Sequence, residues 1–484
     1  MDDGVSGGKP EDVARMVGTR GSDGKHHGGT ISQILALGKF AVKETIVGGD
    51  QEQSEENLLG NSVFGYELDS KKDQMAVKLR VNLSEKKRNI RVKPDLSLAD
   101  IDQLKDIKMT KRILLGVTNS FGDFLGIASP YTIKLKLNMK KMFELDDPLS
   151  WDQDIPFQLR QSWIDLVVEA LVAGKLYFPR STRPDGAVGG PTVVGFGDGA
   201  FAAFVAAIYL VWKLSCDHDH QCAGHYGAAL LCSKARVTPL RGFTIPRSEL
   251  SGGVLVSRLM LAVVIALSRL EEKPSSSIVL LDSECVISCL DENAKKLKPF
   301  FHNRRGEILE NLEDARRFCP VEEVHHVPGK LNPADIPTRG DFSLEDIGPG
   351  SLWQTGPSFL CSPRADWPVT REFVREPIPD QEKRHPTVIA VAIFRAVVIS
   401  DKKALSGSSV PVPVKHQVLT ELLQQNNSLE SRKRVLALVL RGWQHGKTLD
   451  VLLPSSTPEE LRLAEKVILA HAMFDTADAL HAGK

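Results

Sequence analysis

The stretch VVGFGDGAFAAFVAAIYLVW, residues 193–212, is almost entirely apolar and holds one charged side chain, Asp198, between two glycines. A membrane span needs about 20 apolar residues without a charge, and the glycines and the acid interrupt this stretch. The pattern therefore predicts two buried strands of a globular domain, joined by a tight turn. A carboxylate inside a buried strand is costly without a partner, which makes Asp198 a candidate functional residue.

The residues that follow predict a mixed α/β domain over 190–345. GAALLCSKARV indicates a third strand, and IPRSELSGGVLVSRLMLAVVIALSRL indicates a long helix in which Arg258 argues against a membrane span. SSIVLLDSE is typical of a short buried strand. Helical segments, a strand at VEEVHHVPG and a final turn or helix opened by NPAD complete the order. Three strands in succession, followed by alternating helices and strands, predict a mixed sheet flanked by helices.

The rest of the chain divides into further regions, as expected of 484 residues. Residues 1–65 contain the helical patterns PEDVARMV and TISQILALG. Residues 66–185 combine strands such as MAVKLRVNL with the amphipathic helix PFQLRQSWIDLVVEALVAG. Residues 346–384 are a linker rich in Pro, Gly and Trp that is expected to wrap the preceding domain. Residues 385–484 are predicted to be helical, with a capping box formed by Thr457 and Glu460.

Composition narrows the class of protein. Lys and Arg together number 61 and balance 61 Asp and Glu, while 42% of residues are hydrophobic and 25% charged, which is ordinary for a globular protein. The net charge gives no argument for a nucleic-acid partner, although EKKRNIRVKP at 85–94 is a local basic candidate. The 7 cysteines are scattered and no secretory signal follows Met1, so an intracellular, reducing compartment is expected and no membrane partner.

Four acids stand where a mixed sheet brings strand ends and helix starts together: Asp198, Glu249, Asp282 and Asp335. Three of them have a structural alternative, because Glu249 suits a helix start, Asp282 a strand-ending cap and Asp335 a turn; Asp198, inside an apolar strand, is the exception. Together they would repel one another unless cations held them. A pair of Mg²⁺ ions, or Mn²⁺, accounts for all four acids and suits an in-line displacement on a phosphodiester.

The segments FGDGA, IPRSEL, LLDSE and NPADIPTRG, in this order, closely resemble the ribonuclease H domain of BEL/Pao-type retrotransposon polyproteins. The resemblance implies that the family's metal-binding acids correspond to Asp198, Glu249, Asp282 and Asp335. It also implies an endonuclease that cleaves the RNA strand of RNA–DNA hybrids. Departures from the family pattern lie beside the acids: Gly197 and Gly199 around the first, Leu281 before the third, and Thr338 in place of a Ser.

The same resemblance extends to most of the chain. MTKRILLGVTNSFGDFLGIASP, LSWDQDIP and SLWQTGPSFL resemble family segments on either side of the nuclease, and TPEELRLAEKVIL resembles the linker that precedes integrase. Residues 1–65 then correspond to the end of the reverse transcriptase palm, with Asp2 and Asp3 as remnants of its metal site or simply an acidic terminus. Residues 66–185 correspond to a thumb or connection region. We expect no DNA synthesis, because the remaining polymerase parts, like the integrase, would lie outside the chain.

Two further clusters have open alternatives. Cys216, His218, His220, Cys222 and His225 could bind Zn²⁺ or simply form a polar hairpin loop. His325 or His326 could assist product release, as in ribonucleases H, or could belong to an ordinary strand. Cys285 and Cys289 are expected to face a helical core.

The sequence therefore predicts a metal-dependent nuclease acting on RNA–DNA hybrids. One alternative is a non-catalytic nucleic-acid-binding or scaffolding remnant of the polyprotein. Another is a degraded product that does not fold stably, which cooperative thermal unfolding would exclude.

Overall fold

The structure, a computed structural model, describes residues 10–20, 26–37, 62–63, 65–69, 72–84, 86–87, 90–91, 93–145, 147–215, 226–240, 243–291, 297–371, 377–383 and 462. The chain separates into two compact units, residues 1–383 and 384–484. Some predicted features lie outside the described residues: the pair Asp2 and Asp3, the Cys- and His-rich segment 216–225, and, apart from residue 462, the helical region 385–484 with the capping box of Thr457 and Glu460.

The first region contains two short helices on either side of a ribbon. They are α1 (Pro10–Val17), β1 (Gly18–Arg20), β2 (His26–Gly28) and α2 (Thr30–Leu37), and the two strands are antiparallel. Both helices are the ones predicted from the sequence.

The second region combines a small sheet with several helices. Its elements are β3 (Ser62–Val63), β4 (Tyr66–Asp69), β5 (Gln74–Lys78), β6 (Lys86–Lys87), β7 (Ile90–Arg91), a 3₁₀ helix (Leu98–Lys105), α3 (Lys111–Thr118), α4 (Ser129–Lys141), α5 (Phe157–Ala173) and β8 (Lys175–Pro179). The sheet order is β3-β4-β5-β8. The predicted strand MAVKLRVNL stops at Lys78, because its partner β8 begins at Lys175, directly after Gly174 ends α5; one more in-register bond, from the Leu79 amide to the Gly174 carbonyl, follows.

The third region holds the long strands. Its elements are β9 (Ala187–Gly199), β10 (Ala203–Leu214), β11 (Tyr226–Val237), α6 (Ile245–Leu267), β12 (Ser276–Leu281), α7 (Glu284–Asp291), α8 (Pro299–Ala315), β13 (His325–His326), α9 (Asp335–Arg339) and α10 (Leu352–Thr355). The strand predicted at VEEVHHVPG is confined to its two histidines.

These strands form a central five-stranded sheet in the order β11-β10-β9-β12-β13. β9, β10 and β11 are antiparallel neighbours, whereas β12 runs parallel to β9 and β13 parallel to β12. The outer edge of β13 is covered by Thr370, which exchanges two backbone hydrogen bonds with His326. The predicted mixed α/β class, a mixed sheet flanked by helices, is confirmed.

Helix α6 lies against one face of the central sheet at unusually short range. Pro246 stands in its first turn, where the missing N–H costs nothing. A Cβ on Gly252 would lie 2.4 Å from the Asp198 carbonyl oxygen, so the helix backbone touches β9 directly. Among the described residues, α6 is the one helix long and apolar enough to cross a membrane, and 61% of its apolar window is buried inside the protein.

The opposite face of the central sheet is covered by segments distant in sequence. Trp353 of α10 is 0% exposed; its indole N–H donates to the Ile127 carbonyl over 2.7 Å, and its own carbonyl accepts from the Tyr209 hydroxyl over 2.6 Å. Phe359, Leu360 and Trp367 are buried in the same core. Residues 346–367, expected from the sequence to wrap this domain, pack against it here.

Candidate active site

Asp198 is the penultimate residue of β9 and is 9% exposed. Val194 and Phe196 point to the Trp353 side of the sheet, and strand alternation places Asp198 on that side too. There the Thr338 hydroxyl of α9 donates a hydrogen bond to its Oδ2. Burial raises the pKa of Asp198, and the negative charge of Asp335 raises it further. Hydrogen bonds from the Thr338 hydroxyl and the Gly199 N–H lower this pKa, but the net shift is upward.

Asp282 follows the last residue of β12. Leu281 is in register with Gly197 of β9, and neighbouring strands lie about 4.8 Å apart, so Asp282 is placed beside Asp198. Burial raises the pKa of Asp282 to about 7, and the charges of Asp198 and Asp335 act in the same direction. Two acids at one sheet edge therefore disfavour each other's ionised form.

Glu249 is the fifth residue of α6, just after its first turn, and reaches the same edge from the other face. The Ser283 hydroxyl, one residue after Asp282, donates to Glu249 Oε2 over 2.8 Å. A Cβ on Gly199 would lie 2.2 Å from the Ser248 carbonyl carbon and 2.4 Å from the Glu249 nitrogen. The glycine that departs from the family pattern thus permits the close contact between β9 and the start of α6.

Asp335 is the first residue of α9. Its Oδ1 pairs with Arg339 Nε over 2.7 Å, one helical turn away. The loop before α9 is held to β12 and β9, because the Val327 amide donates to the Leu281 carbonyl over 2.9 Å and the Asn332 side chain donates to the Gly197 carbonyl over 3.1 Å.

The structure thus brings all the predicted acids, Asp198, Glu249, Asp282 and Asp335, to one edge of the central sheet from four elements or loops. Their side chains are engaged by Thr338, Ser283 and Arg339. Within the part of the chain that the structure describes, no three His, Cys, Asp or Glu side chains are grouped so that they could hold a metal ion.

The donor set nevertheless suits a hard divalent cation. Every candidate ligand is a carboxylate, the donor that Mg²⁺ and Mn²⁺ prefer. The raised pKa values of Asp198 and Asp282 come from burial together with neighbouring negative charge, and a bound cation opposes both effects. The composition of the site fits a divalent ion, although the side chains as placed do not form a closed ligand set.

Sequence analysis missed the groups that hold the acids in place. Ser283, Asn332, Thr338 and Arg339 all lie inside the quoted motifs LLDSE and NPADIPTRG, but only the acids of those motifs were assigned. The position of Arg339, four residues after Asp335 on a helix, is a signal that could have identified it. Ser283 and Thr338 donate to acids distant in sequence, and Asn332 donates to the β9 backbone, so no local spacing marks these three.

The candidate histidines, His325 and His326, form β13, and the two cysteines lie on α7. His325 Nδ1 is 2.7 Å from the Glu323 carbonyl oxygen, and burial together with the charge of Arg364 lowers the pKa of His325. A role of His325 or His326 in product release stays a prediction. Cys285 and Cys289 are 3% and 0% exposed, which confirms that they face the core.

A family model matches part of the chain. Residues 110–280 match the Pao retrotransposon-like RNaseH-like domain. This segment includes Asp198 and Glu249 and ends just before Leu281, so Asp282 and Asp335 lie beyond it. No curated protein matches the chain.

Solved structures similar to part of the chain are RNase H domains. The N-terminal RNase H domain of rv2228c from Mycobacterium tuberculosis, solved as a fusion with maltose-binding protein, is 17% identical, with 31% of this chain and 94% of that chain covered and a TM-score of 0.21. RNase H1 from Halobacterium salinarum is 16% identical, with 30% and 90% covered and a TM-score of 0.17. LC11-RNase H1 in complex with an RNA/DNA hybrid is 13% identical, with 29% and 88% covered and a TM-score of 0.19.

The resemblance to BEL/Pao elements is therefore confirmed for the central segment. The assignments of residues 1–65 to a polymerase palm, 66–185 to a thumb or connection region and 385–484 to a pre-integrase linker stay predictions. Residues 110–280 of this chain are similar to the RNaseH-like domain of Pao retrotransposons.

Proposed function

We propose that this chain is a metal-dependent endonuclease that cleaves the RNA strand of RNA–DNA hybrids. The observation that carries the proposal is the convergence of Asp198, Glu249, Asp282 and Asp335 at one edge of the central sheet. Acids separated by up to 137 positions along the chain share this edge, which independent structural roles do not explain.

Each acid has a proposed role. Asp198 on β9 and Asp282, half-buried directly after the neighbouring strand β12, would hold the cations at the floor of the site. Glu249 orients a ligand or the attacking water, and Asp335 completes the second cation position. Bound Mg²⁺ or Mn²⁺ would activate a water and stabilise the leaving oxygen of the phosphodiester.

Substrate choice rests on the backbone of the nucleic acid. An enzyme of this type selects RNA through 2′-hydroxyl contacts in the shallow minor groove and holds phosphates with basic side chains. The segment 85–94 is the proposed phosphate-binding segment, with strands β6 and β7 inside it. No base specificity is expected, because phosphate and sugar contacts carry no sequence information.

The proposal is tested with the full chain, Mg²⁺ and a hybrid whose RNA strand carries a 5′ label. We expect cleavage of the RNA strand at many positions, none in the presence of EDTA, and none of a DNA duplex. Asp282→Asn is expected to reduce the rate at least about a hundredfold, since it removes a charge aimed at the reacting centre. Asp341→Asn, an exposed acid just after α9, is the matched control and is expected to retain the wild-type rate.

A second candidate function is non-catalytic binding of nucleic acid. The ion pair between Arg339 and Asp335 and the hydrogen bond from Thr338 to Asp198 favour it, since both occupy acids that a nuclease needs for cations. Hybrid binding by a cooperatively folded chain that leaves the RNA intact, in Mg²⁺ and in Mn²⁺, would support this alternative and contradict the nuclease.

A further inference from the structure

An ion pair outside the four acids, with a buried carboxylate and a partly exposed guanidinium group, lies close to Glu249 in sequence. Glu382 is 3% exposed, and its two carboxylate oxygens accept from Arg247 Nε and Nη2 over 2.7 and 3.2 Å. Arg247 lies in the first turn of α6, two residues before Glu249. The two-point geometry fixes both the distance and the orientation of the guanidinium group.

Residues 377–383, which we call the C-terminal strap, are anchored independently of this pair. Ile378 is 4% exposed and belongs to the core that α6 and α8 share. The Lys298 amide, just before α8, donates to the Glu382 carbonyl over 2.8 Å, and Lys383 forms an antiparallel bridge with Leu297. These contacts fix the backbone of Glu382 close to the start of α6.

Arg247 needs this partner because of its place in the helix. A cation in the first turn of a helix is repelled by the helix dipole, whereas a carboxylate there is attracted. Glu382 supplies the carboxylate, and the Phe300 ring supports the guanidinium group at 5.1 Å. On the other side, Gly199 of β9 touches the backbone of Ser248 and Glu249. The first turn of α6 is therefore held between β9 and the strap.

We infer that the C-terminal strap positions Glu249 through the pair of Glu382 with Arg247, and that the nuclease site extends to residue 383. The inference rests on the proposed function in one respect, namely that Glu249 acts in the site. The strap lies about 100 residues beyond the segment similar to the Pao domain, which ends at 280, so neither that match nor the predicted boundary at 345 includes it.

The test compares Glu382→Gln with Glu307→Gln in the full chain. Glu307 of α8 pairs with Arg258 of the same helix α6, away from the site, and is the matched control. Three quantities are measured: amide hydrogen exchange over residues 248–252, Mn²⁺ affinity by calorimetry, and kcat and KM for hybrid cleavage.

For Glu382→Gln we expect exchange over 248–252 to quicken about tenfold and Mn²⁺ affinity to fall about tenfold, the usual scale for a group that orients a ligand. We expect kcat to fall by a similar factor with KM unchanged, because the strap touches no proposed substrate contact. Arg247→Lys should have the same effects, and combining it with Glu382→Gln should add little, because both act through one pair. Glu307→Gln should change none of these by more than about twofold.

Unchanged exchange over 248–252 in both Glu382→Gln and Arg247→Lys overturns the inference, as does exchange that quickens equally throughout the chain. If the wild-type chain neither binds Mn²⁺ nor cleaves the hybrid, the proposed function fails. The exchange measurement then still decides whether the strap positions the start of α6. If exchange responds as expected but Mn²⁺ affinity and kcat equal those of Glu307→Gln, the strap does not act on the site and the inference is wrong.

Discussion

The two faces of the central sheet are covered in different ways. One face is covered by α6 and α8, which both lie within the 78 residues that follow β11. The backbone of α6 contacts β9 there through glycines. The other face is covered by α4, α9 and α10, from distant parts of the chain, and makes contact through large aromatic side chains. Glu249 belongs to the first of these layers and Asp335 to the second, and Asp198 lies on the sheet beneath the second.

The candidate site therefore lies where the helices that cover the two faces of the central sheet meet. On the glycine face, an added methyl group displaces a helix that carries a site acid. On the aromatic face, removing a ring leaves a cavity but moves no acid directly. We expect changes on the second face to act mainly on stability and changes on the first to act on both stability and the site.

The largest expected effect on stability is that of Trp353→Ala. It removes a fully buried ring and its hydrogen bond to Ile127, and we expect a loss of about 3–5 kcal/mol in the free energy of unfolding. Denaturant titration measures it. Trp151, 44% exposed, provides the control, and Trp151→Ala should cost less than about 1 kcal/mol. Equal losses for the two variants would mean that the aromatic face is not a core.

The next effect is a pH dependence that comes from Asp282. Its pKa is raised from 3.8 to about 7 in the folded chain, so folding favours its protonated form. Without divalent ions, this contribution to stability is complete below pH 4 and is lost as the pH rises towards 7. At about 1.4 kcal/mol per pKa unit, the loss amounts to a few kcal/mol.

Asp282→Asn lacks this titration. With EDTA present, the unfolding free energy of the variant relative to wild type should therefore increase between pH 4 and pH 8. Thermal or denaturant unfolding at several pH values measures the difference. A difference that stays constant over this range would show that Asp282 is not buried among negative charges.

Gly199→Ala tests the glycine face. The new Cβ would overlap the backbone of Ser248 and Glu249, and we expect a loss of about 1–3 kcal/mol in unfolding free energy and weaker Mn²⁺ binding. Gly306 of α8 has no atom within 4 Å of the position of a Cβ. Gly306→Ala should therefore stabilise the chain by about 0.5–1 kcal/mol, and the opposite signs of the two substitutions are the diagnostic result.

The smallest effect is expected at Thr338. Thr338→Val removes the hydroxyl that donates to Asp198, which should raise the pKa of Asp198 further and cost about 1 kcal/mol above pH 7. Thr338→Ser keeps the hydroxyl and should leave the pKa unchanged. The carboxyl carbon shift of Asp198 in NMR titrations reports both. A Ser variant that behaves like the Val variant would assign the effect to packing.

Much of the third region could be predicted from the sequence. The alternation of apolar runs and turns predicted β9 to β12 and α6, and the motif order placed the four acids at strand ends and near helix starts, where the structure has them. The close contact of α6 with β9 could not be predicted, since Gly197 and Gly199 were read only as departures from a pattern. These glycines let α6 approach β9, and that helix begins only at Ile245.

Contacts between segments that are distant in sequence could not be predicted either. No local sequence pattern marks Glu382 as a site residue, and its partner Arg247 lies 135 residues away in the chain. The strand predicted at VEEVHHVPG shortened to two residues because its pairing with β12 is interrupted: Val321 is opposite Ser277, whereas His325 is opposite Leu280, a shift of one residue. Periodicity predicts how a side chain faces a core, but not which remote backbone completes its hydrogen bonds.

The most direct test of the central claim is divalent-ion binding by the wild-type chain and by Asp198→Asn. The account holds that acids from β9, α6, β12 and α9 share cations at one sheet edge. It predicts that calorimetry with Mn²⁺ shows saturable binding to the wild-type chain and binding at least about tenfold weaker to a cooperatively folded Asp198→Asn variant. Equal affinity of the two proteins for Mn²⁺, or no binding by either, would contradict the account.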